Sequence, residues 1–162
     1  MGKFEEIYES VMNESTTNDV DIMLKHYLTT ALWSSIDVNS KDESNLDDKY
    51  DIDDFSKNAY NKSKNDCKQF LTKVETELKK YNKNVDKSEQ YTIYNLSDGK
   101  HKTKNRELEM LGHNFWLSRN GHGAGFFDGD YVDEMEKILT KVADSMGGVD
   151  LYVGDNGKIE IM

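Results

Sequence analysis

The chain has 162 residues, 31 acidic against 21 basic side chains, a formal net charge of -10 and 36% hydrophobic residues. That length fits one domain, residues 1–162, and seventeen aromatic residues (two Trp, nine Tyr, six Phe) separate it from a disordered acidic tail. The charge excludes general phosphate-backbone binding, the single cysteine excludes an intramolecular disulfide, and no apolar run approaches the roughly 20 residues of a bilayer span.

The opening MGKFEEIYES lacks the apolar core of a secretory signal, and Glu6 breaks the N-myristoylation pattern. With one cysteine, this makes a reducing cytoplasm the expected setting. Phe4, Ile7, Tyr8 and Val11 recur at helical spacing, which predicts a short helix over residues 1–16. Thr17 or Asn18 is the expected cap of a second helix running to about Ser34. Its stripe is Val20, Met23, Leu24, Tyr27, Leu28, Ala31 and Leu32, with His26 off the stripe and facing solvent.

Residues 37–54 read as an acidic, irregular loop. Eight acids (Asp37, Asp42, Glu43, Asp47, Asp48, Asp51, Asp53, Asp54) stand against Lys41 and Lys49. There is no glycine for the turn of an EF-hand, so calcium chemistry is weakly supported and a solvated loop is the expectation. Asp54 or Ser56 then caps a helix from about 55 to 81, with Ala59, Tyr60, Cys67, Phe70, Leu71, Val74 and Leu78 on its apolar face. Cys67 on that face reads as a small buried hydrophobe.

Residues 82–105 form a polar loop interrupted by a short strand candidate, Gln90–Leu96, and a turn at Ser97-Asp98-Gly99. His101 sits in the only basic cluster, with Lys100, Lys102, Lys104 and Arg106. After residue 128, Val132, Met135, Ile138, Leu139 and Val142 mark a helix from about 130 to 146, stopped by Gly147-Gly148. VDLYVGDNGKIEIM reads as a hairpin turning at Asp155-Asn156-Gly157. The expected class is α+β, with N-terminal helices packed on a small antiparallel sheet of hairpins.

The chemically richest stretch is Gly112–Asp128, GHNFWLSRNGHGAGFFD. Asn120-Gly121 is a strong hairpin signal, because a type I′ turn needs positive φ at both central positions. In that register His113 opposes Asp128 and Arg119 opposes His122, all on one face. His113 and His122 then lie about four to five residues apart along the ladder, at ~3.3 Å each, too far to share a metal unless the glycine-rich turn folds back. Three readings stay open. The glycines and aromatics are structural; or His113, His122, Asp128 and Cys67 hold zinc; or Arg119, Asn120 and His122 form an anion-binding or catalytic cluster.

The combination LGHNFWLSRNGHGAGFFD, a following short helix and VDLYVGDNGKIEIM resembles a group of small acidic proteins encoded by tailed bacteriophages and prophages. ALWSS, DDKYDIDDF and DCKQFL extend the likeness over most of residues 27–162, with 73–105 the least distinctive part. The group's usual form has Asp at the position of Asn114 and Trp at that of Phe127, so a carboxylate is missing here from any acid–base or metal chemistry at 114.

The resemblance implies a setting and not a reaction. In the cytoplasm of an infected bacterium, such a protein is expected to bind and disable a host defence protein, such as a CRISPR effector or a restriction enzyme. The expected surface is the acidic face of Asp47, Asp48, Asp51, Asp53 and Asp54, with the helix start at 128–136 as a second one. No cofactor is required. The rival is a metal- or anion-binding module or small enzyme built on His113, Arg119, Asn120, His122 and Asp128, and a housekeeping role in the phage is a third possibility.

Overall fold

The computed structural model describes the backbone of residues 3–97, 103–122 and 124–162, and the side chains from Thr17 onward. In chain order it gives α1 (Lys3–Ser34), short 3-10 turns at Leu46–Asp48 and Ile52–Asp54, and α2 (Lys57–Asn82). A further 3-10 turn at Lys87–Glu89, α3 (Lys104–Arg119), α4 (Asp133–Met146), β1 (Leu151–Val153) and β2 (Ile159–Ile161) follow. The α+β class stands. Among the described residues no helix is long and apolar enough to cross a membrane.

The expected break at Thr17 or Asn18 does not exist. α1 is a single helix of 32 residues. The cap-type side chains lie within it, where the backbone N–H groups already have partners four residues back and need no cap. The stripe from Val20 to Leu32 is buried as expected. The side chains of Phe4, Ile7, Tyr8 and Val11, the turn residues Asp98 and Gly99, and His101 with its flanking Lys100 and Lys102 lie outside the described residues.

The helix expected from about 55 forms as α2. Ser56 is its N-cap, the hydroxyl accepting the Ala59 N–H at 3.0 Å. Asp54 instead closes the preceding turn. Asp51 accepts the Asp53 N–H at 2.9 Å while Asp54 accepts the Asp51 N–H at 2.8 Å, a reciprocal capping arrangement. Within the acidic, otherwise irregular stretch, residues 46–48 and 52–54 are thus tight turns pinned by buried Leu46 and Phe55. Asp37 is itself buried, its carboxylate accepting the Asn39 N–H at 3.0 Å.

The strand expected over Gln90–Leu96 is absent. Residues 91–96 form turns held by Asn95, whose side-chain oxygen accepts the Thr92 N–H at 2.7 Å. Asn95 and Thr92, whose hydroxyl accepts the Tyr94 N–H at 3.2 Å, satisfy the backbone locally and compete with strand pairing.

The largest departure is at 104–119. The first arm of the expected central hairpin is helix α3, capped by Thr103, whose hydroxyl accepts the Arg106 N–H at 3.1 Å. α3 is buried nearly all round, from Glu107 through Leu108, Met110 and Leu111 to Phe115, Trp116 and Leu117. Such a helix lacks the one-sided apolar stripe by which helices are read from sequence. It packs against α1, and Gly112 marks the crossing. A Cβ at 112 would sit 2.1 Å from the Met23 carbonyl oxygen, so only glycine lets the two backbones approach this closely.

The hairpin β1–β2 pairs Leu151 with Ile161 and Val153 with Ile159, and Ile159 is fully buried where the strand end bridges to Phe55 at the entrance to α2. Among the described residues this is the one sheet, so the helices pack chiefly on each other and the sheet covers one end.

Candidate functional site

Asn120-Gly121 ends a helix instead of turning a hairpin. Gly121 has φ of 72°, its N–H donates to the Ser118 carbonyl at 3.2 Å, and the His122 N–H reaches back to the Leu117 carbonyl at 3.0 Å. These are the two bonds of a Schellman cap, which demands the same left-handed residue as a type I′ turn. The chain then folds back along α3. Ser118 Oγ accepts the Phe126 N–H at 2.9 Å, and a Cβ on Gly125 would lie 2.5 Å from that oxygen. Phe126 is driven into the core against Phe70, ring centroids 5.8 Å apart, and edge-on to Tyr131.

Arg119 leaves this helix end inward. Its guanidinium donates to Asp66 and to Tyr27 Oη, each at 2.8 Å, and to the carbonyls of Gly147 at 2.8 Å and Met146 at 3.3 Å. One side chain thereby ties α3 to α1, α2 and the carbonyl end of α4. The ion pair is buried, with side-chain exposures of 3% for Arg119 and 11% for Asp66. Burial alone would lower the Arg119 pKa, but Tyr27 and Asp66 more than offset it and hold the guanidinium above its ordinary value. Burial pushes the Tyr27 hydroxyl well above its own. The cluster is a fixed cation with its donors spent on protein partners.

Asn120 is equally committed. Its amide donates to the Trp116 carbonyl at 3.0 Å, and its oxygen accepts the Val149 N–H at 2.9 Å, fastening the segment after α4. Of the expected anion cluster, therefore, only His122 faces solvent.

The expected zinc set does not assemble either. Cys67 is fully buried on α2, where burial raises its thiol pKa well above the ordinary value. His122 and Asp128 are on the exposed return loop. His113 points the other way, toward α1, with Nδ1 3.0 Å from Thr30 Oγ1 and its ring stacked on Trp33 at 5.9 Å between centroids. Among the described residues no group of three or more His, Cys, Asp or Glu is placed to hold a metal. Burial lowers the His113 pKa, with His26 and Arg106 acting in the same sense and Asp130 and Asp128 opposing them. His26, expected at the surface, is half-buried with Nε2 3.7 Å from a Glu109 oxygen.

The acidic face differs in kind. Asp47, Asp48, Asp51 and Asp53 are exposed and Asp54 is half-buried. Asp47, Asp51 and Asp53 converge on a cleft of about 400 Å3 whose other walls are Thr29 and Leu32 of α1, Tyr50 and Ile52. Just beyond, at the end of α1, three large apolar side chains are exposed: Trp33 at 39%, Ile36 at 55% and Val38 at 84%. Ile36 is tied to the acidic segment by a bridge to Asn45.

Three buried polar side chains escaped the sequence reading. Asp66 and Ser63 lie on the apolar face of α2 and are buried; a carboxylate in an apolar stripe is the signal that a buried partner exists. Glu107 is buried on α3, where it accepts the Ser97 N–H at 3.2 Å and the Ser97 hydroxyl. Comparison with protein-family models, curated proteins and solved structures finds no match to this chain.

Proposed function

We propose that the chain is a protein-binding inhibitor that docks a basic surface of a host defence protein, such as a CRISPR effector or a restriction enzyme, through residues 33–54. The observation that carries this reading is the cleft in which Asp47, Asp51 and Asp53 converge over an apolar floor of Leu32 and Ile52. A lysine or arginine side chain has the complementary form, an apolar stem ending in a cation. The flanking Trp33, Ile36 and Val38 supply the apolar anchors that carry most binding energy at protein interfaces, while the carboxylates steer and select.

Nucleic-acid enzymes present such basic surfaces to phosphate, and a row of rigid carboxylates competes for them. Rigidity comes from the turns themselves, because the Asp51–Asp54 caps fix the backbone before binding and reduce its entropic cost. The resemblance to small acidic phage proteins favours a target in bacterial defence, with the infected cell's cytoplasm as the setting.

The test is titration of the purified chain into a guide-loaded CRISPR nuclease and into restriction enzymes, reading DNA binding and cleavage. Inhibition is expected to weaken with salt and to fall on joint Asp47→Asn, Asp48→Asn and Asp53→Asn substitution. That set spares the capping carboxylates of Asp51 and Asp54. Inhibition that is indifferent to both salt and the triple variant would overturn the electrostatic mechanism.

A further inference from the structure

A second cavity, of about 330 Å3, lies between α1, the C-terminal half of α2 and residues 91–94. It is separate from the acidic cleft: its α1 wall is Asp19 and that of the cleft is Thr29 and Leu32, roughly 15 Å further along the helix at 1.5 Å per residue. Nothing in the proposed interface uses it.

The cavity is lined by three buried apolar side chains, Leu71, Leu78 and Ile93, and by two carboxylates, Asp19 and Glu75, with Lys79 the one cation among its lining residues. Its outer wall is built in advance. Asn82 at the end of α2 grips residue 91 twice, its amide donating to the Tyr91 carbonyl at 2.8 Å and its oxygen accepting the Tyr91 N–H at 2.9 Å. Tyr94 donates its hydroxyl to Asp19 and so ties the same wall to α1. Glu75 has no ion-pair partner within 4 Å among the described residues. Glu75 is exposed as a residue, yet partial burial of its carboxylate raises its pKa, an effect that Lys79 opposes and the charge of Asp19 reinforces.

We propose that this cavity binds a small organic cation, a primary ammonium group between Asp19 and Glu75 on an apolar body of a few carbons lying on Leu71, Leu78 and Ile93. The size is at the small end of ordinary ligand sites, and the design is the usual one, apolar walls with a few placed polar groups. Lys104 rests on the Tyr94 ring at 4.4 Å but is not a lining residue; among the lining residues two carboxylates stand against one lysine, a net negative charge that favours a cation. An anion meets both carboxylates, and a neutral molecule gains the apolar contact alone.

The probe is hexylammonium, compared with 1-hexanol and hexanoate and titrated into the full chain with backbone amide shifts as the readout. Hexylammonium is expected to give saturable shifts at Leu71, Leu78 and Ile93, and 1-hexanol to bind about tenfold more weakly, the worth of one charge-assisted contact. Hexanoate is expected to leave these amides unmoved. Glu75→Gln, at an exposed position that does not threaten the fold, should weaken hexylammonium by a similar factor, whereas Glu77→Gln on the same helix should not. Equal binding of the alcohol, an unchanged affinity in Glu75→Gln, or shifts spread over every acidic surface would each overturn the proposal.

Discussion

Residues 112–128 and 37–54 invert each other. The first holds histidines, an arginine, asparagines and aromatics, yet apart from the exposed His122 and Asp128 its main polar side chains are spent inside the fold: Arg119 on four partners, Asn120 on two and Ser118 on Phe126. The second is rich in aspartate, seven of its eighteen residues, and Asp47, Asp48, Asp51 and Asp53 face water, three of them around a cleft. Variety of residue types marks a junction where several elements must be satisfied at once. Repetition of one charged type on tight turns marks a surface free to meet something else. The variants below, ordered by their expected cost, turn on that difference.

The largest effect is expected at Arg119. Replacing it with Met keeps much of the stem volume but takes the buried partner from Asp66, which retains only the more exposed Lys62 at 3.3 Å, and leaves the Tyr27 hydroxyl and the Gly147 and Met146 carbonyls without their donor. Breaking a buried pair from one side costs about 3–5 kcal/mol, a large part of the roughly 5–15 kcal/mol that holds a domain together. Urea denaturation of Arg119→Met measures it. A loss under about 1 kcal/mol, within the spread of ordinary surface changes, would mean the arginine is available for a ligand after all.

Gly112→Ala comes next. The new methyl would stand 2.1 Å from the Met23 oxygen, and the obstacle is backbone, so α1 and α3 must separate. Overpacking of this kind costs about 1–3 kcal/mol, against which alanine's better helix propensity returns up to ~1 kcal/mol. Thermal unfolding should therefore show a lowered Tm, where an exposed helical glycine replaced by alanine would show a raised one.

The acidic triple variant, Asp47→Asn with Asp48→Asn and Asp53→Asn, is expected to leave stability within about 0.5 kcal/mol of the parent, because these side chains are exposed and the capping carboxylates remain. In a chain of net charge -10, removing three negative charges also relieves self-repulsion. A clear destabilisation in the denaturation midpoint would show that this region, too, is committed to the fold.

How far each region can be read from sequence follows from the same contrast. α2, α4 and the terminal hairpin have one wet face, so their periodicity survives, and the expected stripes from Ala59 to Leu78 and from Met135 to Val142 face the core, with Tyr60 and Ile138 only partly buried. α3 is wrapped by α1, α2 and α4 and carries apolar or buried polar groups on every side, which erases the period and leaves an alternation that imitates a strand. Asn120-Gly121 could not arbitrate, since a Schellman cap and a type I′ turn both want a left-handed glycine. The acidic positions were legible because exposure needs no partner. Arg119's role was hidden because its partners Asp66 and Tyr27 are 53 and 92 residues away.

The smallest expected effect concerns His113, the one histidine of the rich segment that faces another helix. Its folded-state pKa lies below the ordinary 6.5, chiefly through burial. The unfolded chain then binds more protons than the folded one in the range below 6.5, so stability rises with pH there. The contribution is fully present above the unfolded pKa and is lost as the pH falls through 6.5 toward the folded value. His26 is lowered in the same sense, again first by burial, and its charge is among the causes of the His113 shift, so protonation of either ring disfavours that of the other. His113→Asn keeps a hydrogen-bonding group near Thr30 without a titrating ring, and should flatten the decline in urea midpoint between about pH 7 and 5. If His113→Asn left the decline unchanged, the contact of His113 with Thr30 and Trp33 would not constrain its ring, and the division between a committed segment and a free surface would have to be redrawn through residue 113.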